Sequence, residues 1–313
     1  METNNKSKRF LTIGLILILI LFGIFSLFKN KILESRVYKS LSDKVDFIVN
    51  TRDVKVPEDA LAFSVYDLNE GKYLFYEGGK QLPSVASLSK LFAIDYAMTK
   101  VKLDDKVEIS DELLSLVPEG SSLANLRSGE YTAKQIIQAM LVPSGNDAAY
   151  ALAYNIGKKE LGDGYSTKEY VEYFVKKLED YLKKEGYTNT DLFDPSGFST
   201  QAYTDLDDIN RVALKLLDYD FVRECVGESS FTIHTNQGDF TWKNTNEFLD
   251  KGSLYYNKYI KGLKTGTMAE SYNLLALYEK DGKGYLITCL AAKSDKDRYQ
   301  AVQAAINTII EKN

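Results

Sequence analysis

The sequence predicts an α/β protein of the α+β kind. One sheet is built from the two ends of the chain, a mainly helical region lies between them, and a membrane-spanning helix comes first. Three observations carry this. Five strand-like segments, rich in apolar and aromatic residues, sit at the two ends: Leu61–Asp67 and Lys72–Tyr76, then Tyr259–Lys264, Tyr272–Glu279 and Tyr285–Ala292. From Tyr96 to about Asp220 the apolar residues recur mainly at helical spacing. Phe10–Phe28 is an uncharged, mostly apolar run of 19 residues, long enough to cross a bilayer.

Residues 1–9 are a polar tail carrying Lys6, Lys8 and Arg9, and Lys29 closes the apolar run. The rival reading is a cleaved signal peptide, whose apolar region is shorter and ends in a small-x-small site. Here the run ends Gly23-Ile-Phe-Ser-Leu-Phe-Lys-Asn30, with no such site and no cysteine for a lipid, so residues 10–28 read as an uncleaved anchor. Lys29, Lys31 and Arg36 balance the basic residues on the other flank, so charge does not orient it. Residues 29–60 read as a stalk. In it Leu33, Val37, Leu41, Val45 and Ile48 form an amphipathic helix, expected to pack on the following domain, before Pro57 ends the segment.

The domain expected over 61–313 opens with a hairpin through Asn69-Glu-Gly71. A helix follows: Leu88, Leu91, Phe92 and Tyr96 mark one face, and Ile94, Ala97 and Met98 widen it until little is polar, so it is expected to be buried. Thr132 caps Ala133–Leu141, Asp147–Ile156 and Ser166–Glu185 are further helices, and Thr204-Asp-Leu-Asp207 reads as a capping box opening Asp205–Leu217. Phe231–His234 and Asp239–Trp242 form a small hairpin around Gly238. Asp281-Gly-Lys-Gly284 joins the last two strands, and Arg298–Glu311 closes the chain as an amphipathic helix.

A net charge of −5, from 44 acids and 39 bases, is interspersed rather than blocked, which argues against a nucleic-acid surface. His234 is the only histidine, so neither a zinc site rich in His and Cys nor a Ser-His-Asp arrangement is expected, and no metal or cofactor is called for. Cys225 and Cys289 are too few for a disulfide-built scaffold. Cys289, in the apolar run Tyr285–Ala292, reads as a buried thiol, while a bridge between the two is left open.

The chemistry starts at Ser87 and Lys90, three residues apart on the buried helix and therefore on one face. A hydroxyl held beside an amine, with free backbone N–H groups at the helix start, supplies the parts of an activated nucleophile. Alone the spacing is weak: Ser26 and Lys29 repeat it at the membrane edge. Two further motifs change the balance. Pro143-Ser144-Gly145-Asn146 lies between two helices, and Lys264-Thr265-Gly266-Thr267 ends one expected strand just before the next. The glycine there would let a ligand's backbone lie along the strand edge. Ser271-Tyr272-Asn273 mimics the second motif but follows the third and lies within a strand. Singly, each of these residues reads as a solvated lysine, a cap, a turn residue or a strand-end charge. Jointly and in this order they do not.

Ser-x-x-Lys, Ser-x-Asn and Lys-Thr-Gly in this order resemble the motif set of penicillin-binding proteins and class A β-lactamases. Ser84-Val-Ala-Ser-Leu-Ser-Lys90, Leu141-Val-Pro-Ser-Gly-Asn-Asp-Ala-Ala149 and Gly262-Leu-Lys-Thr-Gly266 look like the D-alanyl-D-alanine carboxypeptidases among the low-molecular-mass penicillin-binding proteins. Asp194-Pro-Ser-Gly197 and Asn244-Thr-Asn246 resemble secondary signatures of that family. The resemblance covers Leu61 to the C-terminus as one catalytic domain. It implies an antiparallel sheet of about five strands flanked by helices, with a mainly helical subdomain. Many relatives add a C-terminal β domain and a terminal membrane-associated helix; this chain stops soon after the sheet, and its N-terminal span is expected to take over the anchoring.

The expected roles follow. Ser87 becomes acylated, and Lys90 serves as its base, kept neutral by burial and by the nearby cation Lys264. Ser144 passes a proton between the leaving amine and Lys90, and Asn146 binds the substrate's amide. Lys264, with the hydroxyls of Thr265 and Thr267, suits the terminal carboxylate of a D-Ala-D-Ala peptide. By resemblance, the backbone N–H groups of Ser87 and Thr267 form the oxyanion hole. The expectation is a serine carboxypeptidase acting on peptidoglycan stem peptides, acylated by β-lactams, with its tail inside and its domain outside the cell membrane. Two alternatives stand beside it. A β-lactamase needs an additional glutamate for deacylation, and no convincing counterpart is found. A sensor binding β-lactam or muropeptide without turnover would need a partner to signal.

Overall fold

The structure, a computed structural model, describes residues 60–310 apart from position 84. The expected tail, membrane span and nearly all of the stalk lie outside these residues, and among the described residues no helix is long and apolar enough to cross a membrane. In chain order come β1 (Ala62–Asp67), β2 (Lys72–Glu77), α1 (Ser89–Met98), β3 (Lys106–Ile109), β4 (Gly129–Thr132), α2 (Ala133–Leu141), α3 (Asn146–Leu161) and α4 (Thr167–Glu185). Then follow α5 (Leu206–Leu217), α6 (Asp220–Gly227), β5 (Ser230–Thr235), β6 (Gly238–Lys243), β7 (Ile260–Met268), β8 (Ser271–Lys280), β9 (Lys283–Ala292) and α7 (Asp295–Ala305).

The five-stranded sheet runs β2-β1-β9-β8-β7, antiparallel throughout. Its central strand, β9, is the last in sequence, pairing Ile287 with Val65 on one side and with Ala276 on the other. Side chains alternate across a strand. Leu286 and Leu290 of β9 and Leu275 and Leu277 of β8 therefore face one way, into the core shared with the helices between the two strand groups. The opposite face carries α7, whose Tyr299 and Val302 are buried. The result is three layers.

Helix α1 runs through the helical layer with Ser89–Ala97 buried throughout. Its one carboxylate, Asp95, is satisfied by Tyr181 Oη at 2.8 Å, Tyr187 Oη at 3.2 Å and Lys215 Nζ at 2.9 Å, which ties α1 to α4 and α5. Thr132 caps α2 in a reciprocal box with Gln135, and Ser166 caps α4 with Glu169.

Several boundaries differ from expectation. The cap of α5 is Asp205, whose carboxylate accepts from Asp208 N, one residue later than the box read at Thr204. Helix α7 starts at Asp295 because Ser294 caps it, and a π turn at Ile306–Ile310 follows. Strand β7 runs on to Met268, since Lys264, Thr265, Gly266 and Thr267 pair in turn with Leu275, Leu274, Asn273 and Tyr272. That motif is therefore paired along its length and fills the last part of the strand, one residue short of its end and just before β8, as expected. The two-stranded sheet of β3 and β4 was not foreseen, although Lys106-Val-Glu-Ile109 alternates and buries Val107 and Ile109.

Candidate active site

Ser87 sits in the 3-10 turn Ala86–Leu88 that leads into α1, half-buried, and Lys90 lies in the first turn of α1 with no exposure at all. Ala86, just before the nucleophile, is held at φ +51°. That left-handed backbone costs roughly 1–2 kcal/mol and aims the turn that follows. Lys90 Nζ stands 3.0 Å from Ser87 Oγ, 2.7 Å from Asn146 Oδ1 and 2.8 Å from the Ser196 carbonyl. A neutral amine has two N–H bonds and one lone pair. The amide oxygen and the carbonyl can only accept, so they take both N–H bonds. The lone pair is left facing Ser87, whose O–H can donate.

Burial pushes the Lys90 ammonium down to about 7, against the opposing pull of the Asp194 and Asp147 carboxylates. The sequence reading credited Lys264 with part of that effect. That repulsion is mutual, and Lys264 itself is held well below the usual lysine range by burial first and then by the cations Lys90 and Arg298. Among the described residues no carboxylate bonds to either amine.

The second motif turns the chain from α2 into α3. Ser144 takes φ +65°, and Gly145 packs so closely that an added Cβ would lie 2.7 Å from Ala124 Cβ. Asn146 N donates to Ser122 O, and the Asp147 carboxylate accepts from Ala124 N and Leu126 N, so the turn is fastened to the loop before β4. Ser144 Oγ accepts from Lys264 Nζ at 2.8 Å. Ser144 is therefore joined to the third motif, and no hydrogen bond links it to Lys90.

In β7, Lys264 is buried and Thr267 is exposed. Gly266 does something other than what its sequence position suggested. A Cβ there would meet Val85 O at 3.0 Å and Leu88 N at 3.2 Å. The missing side chain thus lets the nucleophile's own turn, not a ligand, press against the strand. Thr265 Oγ1 bonds to Thr245 Oγ1 at 2.6 Å, and Thr267 Oγ1 accepts from Arg298 Nη1 at 3.0 Å. Asn246 Nδ2 donates to Gly262 O and so fastens the preceding loop to the start of β7.

The structure thus gathers Ser87, Lys90, Ser144, Asn146, Lys264, Thr265, Gly266 and Thr267 into one place. Two members were missed as such. Arg298 reaches the site from α7, and its only signal was an arginine on the buried side of an amphipathic helix. The Ser196 carbonyl comes from the segment noted only as a secondary signature. The imitation motif is spent on structure, since Asn273 Oδ1 accepts from Ala291 N. His234 pairs with Asp239 on an exposed hairpin. Among the described residues no group of three His, Cys, Asp or Glu side chains is placed to hold a metal ion.

Residues 51–293 match the family model described as D-alanyl-D-alanine carboxypeptidase. D-alanyl-D-alanine carboxypeptidase DacF of Bacillus subtilis is 26% identical over 256 residues, which cover 79% of this chain but 61% of that protein. The D-alanyl-D-alanine carboxypeptidase of Streptomyces sp. K15 is 30% identical over 247 residues, covering 73% of this chain and 80% of its own. The crystal structure of the Streptomyces K15 DD-transpeptidase superposes with a TM-score of 0.70 at 26% identity, over 82% of this chain and all of that one. The three-motif site and the five-stranded α+β architecture agree with these matches, and the chain belongs to the D-alanyl-D-alanine carboxypeptidase family.

Proposed function

We propose that this chain removes the terminal D-alanine from peptidoglycan stem peptides through an acyl-enzyme at Ser87. The observation that carries the reading is the set of three partners of the Lys90 amine. Two pure acceptors orient it, and Ser87 is the third, so a base stands ready without histidine. In the first step Ser87 Oγ attacks the carbonyl of the penultimate D-alanine and its proton passes to Lys90. The N–H groups of Ser87 and Thr267 hold the oxyanion. The peptide C–N bond then breaks as Lys90 gives up the proton it took from Ser87, which Ser144 relays to the departing amine, so that Lys90 is neutral again and the acyl group stays on Ser87. Water, deprotonated by Lys90, releases the shortened peptide and restores the serine.

The leaving residue's carboxylate belongs beside Lys264, Thr265, Thr267 and Arg298. It supplies the counter-charge that Lys264 lacks, favouring the ammonium there and leaving Lys90 neutral. Asn146, already fixed through its Oδ1, offers its Nδ2 to the peptide on the acyl side. Penicillins, with an amide carbonyl next to a carboxylate, fit the same places and acylate Ser87. The two carboxylates that act on Lys90 are both spent on backbone N–H groups, Asp147 on the loop before β4 and Asp194 on its own turn. Neither is free to activate a deacylating water, so slow release of the penicilloyl group is expected.

Residues 10–28 would anchor the domain on the outer side of the cell membrane, where this substrate is found. Mass spectrometry of a defined pentapeptide ending in D-Ala-D-Ala tests the activity. The wild type is expected to yield tetrapeptide and free D-alanine, and Ser87→Ala neither. Penicillin binding without D-alanine release would instead mark a sensor. Deleting residues 1–28 is expected to move the protein from the membrane to the soluble fraction, and retention in the membrane would refute the anchor.

A further inference from the structure

The carbonyl that accepts from Lys90 belongs to a turn organised by one side chain. Asp194 Oδ1 accepts from Ser196 N at 2.8 Å, Ser196 Oγ at 2.6 Å, Gly197 N at 2.8 Å and Phe198 N at 3.1 Å, and Asp194 Oδ2 accepts from Ser199 N at 2.7 Å. The carboxylate has wound residues 194–199 around itself. Gly197, at φ +80°, seats that turn against the nucleophile, where an added Cβ would lie 1.9 Å from Ala86 O and 2.8 Å from Ser89 Oγ. The same turn thus touches the base through Ser196 and the nucleophile's own 3-10 turn through Gly197.

We propose that Asp194 is the positioning residue of the catalytic amine: by folding residues 194–199 around its carboxylate it presents the Ser196 carbonyl to Lys90 Nζ and so turns the amine's lone pair toward Ser87. Without that carbonyl one N–H of the neutral amine has no fixed acceptor. The amine can then rotate so that an N–H, not the lone pair, meets the serine. Asn146 Oδ1 alone cannot prevent this, because with one N–H held there the second N–H and the lone pair can still exchange the two remaining positions. Asp194 also acts at a distance, since its negative charge favours the ammonium form of Lys90. The other charges around Lys90 are Asp147 on α3, which pulls the same way, and Lys264 on β7. Around Asp194 itself, Tyr150 of α3 and Lys168 and Glu172 of α4 line the same cavity, and Lys168 and Glu172 pair with each other.

This inference rests on the acyl-enzyme reading, and the test separates the two. Acylation by a fluorescent penicillin is timed from pH 5 to 9 for the full chain, with the adduct located by mass spectrometry. A wild type that forms no adduct at Ser87 defeats the functional reading before Asp194 is examined. Asp194→Asn keeps an oxygen for the Ser196, Gly197 and Phe198 donors and removes the charge. Its acid limb is expected to move to lower pH by about one unit, because the ammonium loses a counter-charge. Asp194→Ala frees the turn, and its acylation on the alkaline plateau is expected to fall by about 10²-fold. A purely structural residue would lower the melting temperature and leave the acid limb in place. An unmoved limb in Asp194→Asn, or an Asp194→Ala variant that acylates within about threefold of wild type, overturns the proposal. Should Asp194→Ala fail to fold, Asp194→Glu, which keeps the charge but displaces the carboxylate from the turn, takes its place, and a plateau within about threefold of wild type overturns the proposal.

Discussion

Taking an amine out of water costs its charged form more than its neutral form, and at Lys90 this one effect supplies the base. The buried ammonium is pushed down to about 7, with Asp194 and Asp147 limiting the fall. The sign follows directly. Acylation needs the neutral amine, whose fraction grows as pH rises through 7 and is lost as pH falls below it. The rate of Ser87 acylation is therefore expected to drop about tenfold per unit below that pH and to level off above it. Stopped-flow acylation across pH 5 to 9 checks this, and a rate still rising about tenfold per unit at pH 9 would show that burial has not depressed the base. Lys90→Gln keeps a polar end but offers no basic nitrogen. It is expected to lose on the order of 10³-fold in acylation rate at pH 8.

At the scale of elements, catalysis depends on how closely a turn approaches a strand. The oxyanion donors expected at Ser87 and Thr267 belong to different segments, and Gly266 sets their spacing, because its missing Cβ is what lets Val85 and Leu88 close on β7. Gly266→Ala places a methyl group 3.0 Å from Val85 O, so the turn must retreat by a few tenths of an ångström. Acylation is expected to slow by about tenfold or more while the melting temperature changes little, since neither the strand pairing nor α1 is broken. An unchanged acylation rate would refute that role. The same junction shows what could be read from residues alone. The three motifs were legible because nucleophile, base and anion-binding groups are recognised by type and order. The cap at Thr132 was legible because both partners lie within four residues. The role of Gly266 was not legible, because the atoms that crowd it belong to residues 85 and 88, far away in sequence. Nor was that of Arg298, whose hydrogen bond to Thr267 spans 31 residues and shows only once α7 lies on the sheet.

At the largest scale, the sheet joins the two ends of the described domain and divides its interior. Cys225 of α6 belongs to the core on the helical side of the sheet, with Leu286 and Leu290 of β9. Cys289, between those two leucines in register, points to the opposite face. The strand that separates them explains why both thiols are free and buried, and the bridge left open by the sequence does not form. Burial pushes each thiol up to about 12, so neither presents a thiolate near neutral pH. A native sample is therefore expected to resist a thiol reagent at pH 8, and a denatured one to react at two sites per chain. The order of exposure follows from the topology. The central strand β9 carries Cys289 on one face and, on the other, the leucines that help to bury Cys225. Freeing the first thiol thus removes part of the cover of the second, and both are expected to appear at one denaturant concentration, together with the loss of circular dichroism. Labelling of Cys225 well before Cys289 would mean that the helical layer opens while the sheet stays closed, and that the two sides do not share the core proposed for them.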